Sequence, residues 1–167
     1  RKIVNFSLSF FSIASRNFCQ VIAPDDSLAL IDLNPRQKVN VSEGDEFSLL
    51  GVDFIITHAR HPQSTNPVGF IMKAGGKSIY YGGDTYDFYA MNKIQVDAAI
   101  LPIGGTYTMD VLAAIKALKT LKASYVVPMH YNTFQNIKCD VIDFEKRVKR
   151  DTKVQPVVLG VGESFTI

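Results

Sequence analysis

Cysteine is scarce in this chain, and so is histidine: among 167 residues there are two of the first and three of the second. Cys19 and Cys139 lie far apart and neither belongs to a C-x-x-C pair, which speaks against a zinc knuckle and a dithiol redox motif. The expectation is two free, buried thiols in a reducing cytosol. Charge of one sign is lacking as well. Eighteen basic residues face 16 acidic ones, for a net charge of +2, with no run of Lys and Arg. Nucleic acid is therefore not an expected partner. Long hydrophobic runs are missing too. The apolar stretch at residues 3–14 is broken by Asn5, Ser7, Ser9 and Ser12, and is too short to span a bilayer. Nor does a convincing small-residue cleavage site follow it, since Ile13-Ala14-Ser15 runs straight on into Arg16 and Asn17. The expected setting is cytoplasmic, without a membrane partner.

What is present is ordinary globular composition, 47% hydrophobic and 20% charged, in a length that suits one compact domain over residues 1–167. The pattern predicts a mixed, alternating α/β (α+β) chain. Residues 7–15 have the spacing of a short helix packed through Leu8, Phe11 and Ala14. Residues 19–23 read as a buried strand ended by Pro24. Asp45 to Ile56 reads as a strand in two pieces with Gly51 at the turn. Val68–Ala74 and Lys77–Tyr81 flank Gly75-Gly76, a hairpin signal. Ala98 to Pro102 is a continuous apolar run, expected of a strand covered on both faces. Residues 110–122 read as a helix with Val111, Leu112, Ile115, Leu118 and Leu121 on its packed face. Tyr125–Met129 reads as another strand, residues 140–149 as another helix, and residues 153–159 and 164–167 as closing strands. Hairpins followed by strand–helix–strand suggest a layered fold.

The few histidines repay attention one at a time. His130 follows the apolar Val126-Val127-Pro128-Met129, which places an imidazole at the carboxyl end of a strand, where open sheets put their ligands. Asp84 follows Tyr80-Tyr81-Gly82-Gly83 and is delivered at a rim by a glycine turn, although a carboxylate there also serves as a turn cap. His61, before Pro62, ends the strand that starts at Val52. His58, three residues earlier, falls on the opposite face of an extended segment and reads as a supporting or structural residue. Two histidines and one aspartate, each closing its own strand, suit Zn²⁺, Fe²⁺ or Mn²⁺ and the activation of water for hydrolysis.

The surroundings of these residues carry a resemblance. His61 through Phe70, Ile79 through Thr85 with its Gly-Asp-Thr, Leu101 through Met109, and Val127 through Phe134 together resemble the metallo-β-lactamase superfamily, in the branch known as metal-dependent hydrolases. The resemblance runs from about Ile13 to Gly162-Glu163-Ser164-Phe165. It implies a four-layer αββα sandwich with a metal site at one edge of the sheets. It also implies that His61 and His130 each serve one metal while Asp84 bridges both, with Asp84 and His130 as the catalytic residues. Thr106, Tyr131 and Asn132 on the neighbouring rim loops become candidate substrate contacts.

One motif of that family is not in the sequence. Its first metal motif, H-x-H-x-D-H, has no counterpart here. Counting back from Ile13-Ala14-Ser15-Arg16 puts its positions near Arg1, Ile3, Asn5 and Phe6. Alternatively, residues 1–11 are the family's opening strand and a segment is absent from this sequence, so that the N-terminal portion is incomplete or divergent. In either case each metal keeps about two protein ligands, where a stable zinc site wants three or four. Metal occupancy and catalysis are expected to be weak in these 167 residues. Two readings follow: a metal-dependent hydrolase acting on a small-molecule ester, amide or phosphoester, with zinc as the first choice of ion; or a non-catalytic remnant of the same fold, serving as a binding or oligomerising module.

Overall fold

The structure is a computed structural model that describes residues 19–167. The helix expected at residues 7–15 and the two readings of the N-terminal residues lie outside that range. The described residues fall into two compact units, 19–42 and 43–167.

In the first unit, β1 (Val21–Ala23) pairs in parallel with β2 (Lys38–Asn40), and a short helix α1 (Asp25–Ala29) follows Pro24. Pro24 stops the strand as expected, and among the described residues Val21, Leu28 and Ile31 pack together as a buried apolar cluster. Lys38 Nζ donates to the carbonyl of Leu28, 2.8 Å away.

The second unit is a seven-stranded mixed sheet in simple sequence order: β3 (Glu46–Leu49), β4 (Val52–His58), β5 (Val68–Ala74), β6 (Lys77–Tyr81), β7 (Gln95–Pro102), β8 (Lys122–Met129) and β9 (Gln155–Pro156). The first four strands are antiparallel hairpins, and β6 through β9 are parallel. The turns are those the sequence signals. Leu50 and Gly51 both have positive φ, as do Gly75 and Gly76, the backbone that a tight two-residue hairpin requires. Helices α2 (Val111–Leu118) and α3 (Val141–Asp151) supply the crossovers between parallel strands. Each is capped by an aspartate. Asp110 accepts from the amide of Ala113, and Asp140 from those of Ile142 and Asp143.

The core lies between the parallel strands and these helices. Tyr80, Ala99, Leu101 and Val126 from the sheet meet Ala114, Ile115, Leu118, Phe144 and Val148. The apolar run Ala98–Pro102 is buried nearly throughout, as expected of a strand covered on both faces.

Four expectations are corrected. Leu112 is not on the packed face of α2; it is 61% exposed, and Ala114 and Ala117 take the buried places. The helix also ends at Leu118, so that Leu121 is buried from the connection into β8. Of the two closing strands, only Gln155–Pro156 pairs, and residues 164–167 form none. The two cysteines are free but half-buried rather than buried. The apolar residues of the tail overreport strand here, because β-propensity records a side chain's packing as much as its backbone's pairing. Phe165, for example, packs edge-on against Tyr125 without joining the sheet.

Candidate metal centre

Strand direction decides where the candidate donors can go. Because β4 and β5 are antiparallel, and β5 and β6 also, β4 runs the same way as β6, β7 and β8. The carboxyl ends of these four strands, at His58, Tyr81, Pro102 and Met129, therefore share one edge. His61, Asp84, Thr106 and His130 all sit on the loops that leave that edge.

Asp84 and His130 meet. His130 Nδ1 lies 2.8 Å from Asp84 Oδ1, with both side chains about half exposed. The hydrogen bond from His130 pulls the Asp84 carboxyl below its usual range. Burial opposes the shift, and the charges of His130 and then His61 add to it. His61 thus lies within electrostatic reach of Asp84. Its own Nδ1 is buried and has no hydrogen-bond partner. β4 ends at His58, three residues before His61, and the chain continues through an isolated bridge from Arg60 to Tyr86. His58 itself turns away to Glu43, 2.8 Å from its Nδ1, and packs edge-on against Phe88.

The loop geometry is demanding. His130, Asn132 and Thr106 are non-glycine residues with φ between 53° and 58°, and Gly83 and Gly105 are also left-handed. Non-glycine residues rarely take this conformation, and where several do so the surroundings must hold them there. The holding contacts are visible. Thr106 Oγ1 donates to the carbonyl of Asn136 at 2.6 Å, and Tyr86 Oη donates to the carbonyl of Thr106 at 3.1 Å. Asn132 Oδ1 accepts from the amide of Cys139 at 2.9 Å. Two of the three candidate substrate contacts, Thr106 and Asn132, thus already hold loop backbone. The third, Tyr131, is half-buried against the core, and burial raises its phenol pKa.

Thr85 entered the sequence reading only as the last residue of Gly-Asp-Thr, with no role of its own. It is fully buried, and its hydroxyl accepts from the amide of Arg60 at 2.9 Å while donating to the carbonyl of Tyr86 at 2.8 Å. A threonine after the loop aspartate reads locally as turn chemistry. The partner it meets, Arg60, is set by the fold.

A metal ion is tested by the donors. Two imidazoles and a carboxylate are the right types, and the unspent His61 nitrogen is the kind of buried atom that a ligand would satisfy. Among the described residues, however, no group of three or more His, Cys, Asp or Glu side chains gathers closely enough to hold an ion unaided. These residues fit a metal as part of a coordination shell, short of a closed one.

Comparison with known proteins gives a consistent picture. Residues 10–131 match the family described as the β-lactamase superfamily domain. A UPF0173 metal-dependent hydrolase of Methanosarcina mazei is 31% identical over 93% of this chain and 74% of that protein. One from Nanoarchaeum equitans is 44% identical over 61% of this chain and 48% of that protein, so the chain aligns with about half of that relative's length. Among solved structures, a metallo hydrolase from Ignicoccus hospitalis superposes with a TM-score of 0.81 at 31% identity, over 93% of this chain and 71% of that one. The fold and the sequence matches agree: the chain belongs to the metallo-β-lactamase superfamily, with relatives named as metal-dependent hydrolases.

Proposed function

We propose that this chain carries the hydrolase chemistry of its relatives, cleaving an ester, amide or phosphoester of a small molecule with a divalent metal, zinc first and manganese or iron as alternatives. The observation that carries the reading is the placement of His61, Asp84 and His130 on loops from one sheet edge, with Asp84 and His130 in contact. His61, Asp84 and His130 would hold the ion, together with donors beyond these three. When bound, such an ion supplies Lewis acidity, which makes water a nucleophile near neutral pH.

The chain's own residues do the rest. An aspartate is ionised at neutral pH in any case, and the hydrogen bond from His130 lowers the Asp84 carboxyl further, so the site offers a carboxylate to bind metal or to orient a water. His130 is held at the rim by a left-handed backbone at the end of β8. Thr106, Tyr131 and Asn132 border the site, and we assign them a share in the substrate's surroundings on that placement alone. The two unpaired thiols suit a reducing, cytoplasmic setting. No helix among the described residues is long and apolar enough to cross a membrane.

A second reading, a binding or oligomerising module of the same fold, is favoured by one observation: no described group of three donors closes around an ion. The two readings part on metal. Titration with zinc or manganese, followed by the histidine ring signals in NMR, should move His61 and His130 together, and Asp84→Ala should abolish the response. Hydrolysis of nitrophenyl esters and phosphodiesters should follow the same variant. Unmoved His61 and His130 signals with every ion would sink the hydrolase reading and leave the module.

A further inference from the structure

We propose that Thr85 is a positioning residue: its buried hydroxyl latches the loop carrying His61 onto the loop carrying Asp84 and so sets the spacing of those two groups. The proposal rests on the metal-site reading for its purpose, but the latch itself does not depend on a metal.

The contacts form a closed clasp. Arg60, the residue before His61, donates its amide to Thr85 Oγ1 at 2.9 Å. The same hydroxyl spends its own proton on the Tyr86 carbonyl at 2.8 Å, so its orientation is fixed and its lone pair faces Arg60. Tyr86 in turn donates its amide to the carbonyl of Arg60 at 2.8 Å, completing the isolated bridge between the two segments. On its other side, the carbonyl of Thr85 accepts from the amide of Met109 at 3.0 Å, which ties in the loop that carries Thr106. One residue therefore joins three rim loops.

This clasp is needed because the regular sheet stops too early. β4 ends at His58, and β5 begins only at Val68, so no strand ladder fixes residues 59–67. Nor does a hydrogen bond through His61 Nδ1, which has no partner. The position of His61 is inherited from Arg60, and that of Arg60 from Thr85. The hydroxyl is the active part, because a methyl in its place would leave the Arg60 amide facing a dry neighbour. Serine retains the oxygen, whereas valine keeps the shape and loses it.

The test uses the 167-residue chain, with Thr85→Val, Thr85→Ser and Val148→Ala, the last a distant core change in α3 that provides a purely structural loss of stability. Three quantities are read by NMR: hydrogen exchange of the Arg60 amide, the sharpness of the His61 ring signals, and their shift on adding zinc. Thr85→Val should speed Arg60 exchange at least tenfold, broaden or split the His61 ring signals, and weaken their zinc response relative to wild type. Thr85→Ser should restore all three, and Val148→Ala should leave all three as in wild type at an equal or greater drop in Tm. If Thr85→Val keeps a sharp His61 and a protected Arg60, the latch is overturned. Should Val148→Ala disturb His61 equally, Thr85 acts only through global stability and the proposal falls. A wild-type His61 blind to zinc would instead count against the hydrolase reading, while the exchange and ring signals still decide the latch.

Discussion

Gly104 lies directly against the backbone of His130: a Cβ built on Gly104 would stand 2.2 Å from the His130 carbonyl oxygen and 2.8 Å from the Cβ of Ile137. The loop after β7 and the loop after β8 can approach this closely only because residue 104 has no side chain. That approach also fixes where the left-handed His130 begins its loop.

Gly104→Ala should therefore cost about 1–3 kcal/mol, toward the upper end of the range for overpacking, since the nearest atom belongs to backbone. It should also displace His130. Urea denaturation measures the first effect. Loss of the His130 response to zinc, with that of His61 retained, measures the second. An alanine variant as stable as wild type would show that the two loops slide apart freely.

Tyr80 offers a test in alkali. It is fully buried, and burial pushes its phenol up to about 12. The Thr57 hydroxyl beside it pulls the other way, although the two oxygens are not aligned as a hydrogen bond. A raised folded value means that the fold favours the neutral phenol. Its stability is whole below the unfolded value near 10 and is lost as pH rises from there through about 12. The slope for one such group approaches about 1.4 kcal/mol per pH unit in that window. Tyr80→Phe should flatten the decline in stability above pH ~10 by that amount and leave the neutral range little changed. Equal slopes for the two proteins would contradict the burial-driven shift.

The exposed and buried sides of α2 can be told apart by substitution. Leu112→Gln should alter stability by no more than about 0.5 kcal/mol, because Leu112 projects into solvent. Ile115→Ala, in the core, should cost about 2–5 kcal/mol. Thermal unfolding of the pair checks the helix orientation directly.

Metal content addresses the centre itself. The 167-residue chain should retain less than one transition-metal ion per molecule after dialysis against a mild chelator, because two imidazoles and one carboxylate leave water to complete the shell. Elemental analysis reads this. Stoichiometric zinc, iron or manganese surviving the dialysis would mean that other residues, with His58 and Asp87 as the nearest alternatives in sequence, join the shell. In that case Asp84→Ala should still release the ion.

Local chemistry along the chain determined a good deal of this protein. Gly75-Gly76 and Gly51 mark hairpins because two-residue turns need positive φ, and the turns formed where those residues stand. Asp110 and Asp140 start helices because a short carboxylate satisfies the free amides of a first turn. His61, Asp84 and His130 were read as rim residues because each stands where a strand-like run breaks, at Pro62, after Gly82-Gly83 and after Met129. The family, too, was written in four short stretches of sequence.

Other features were decided only when strands took their places. Periodicity gives a helix two plausible faces when Val111, Leu112 and Ala114 are all apolar, and the sheet beneath chose Ala114 over Leu112. The tail residues have strand-like composition, yet only Gln155 and Pro156 pair with β8 as strand, with one further amide bond from Val157 to the Val126 carbonyl. Whether His130 reaches Asp84, and whether Thr85 holds Arg60, depends on the register of β4 through β8. That register is set by many cross-strand pairs at once, and no residue carries a record of a neighbour that only the folded sheet brings to it.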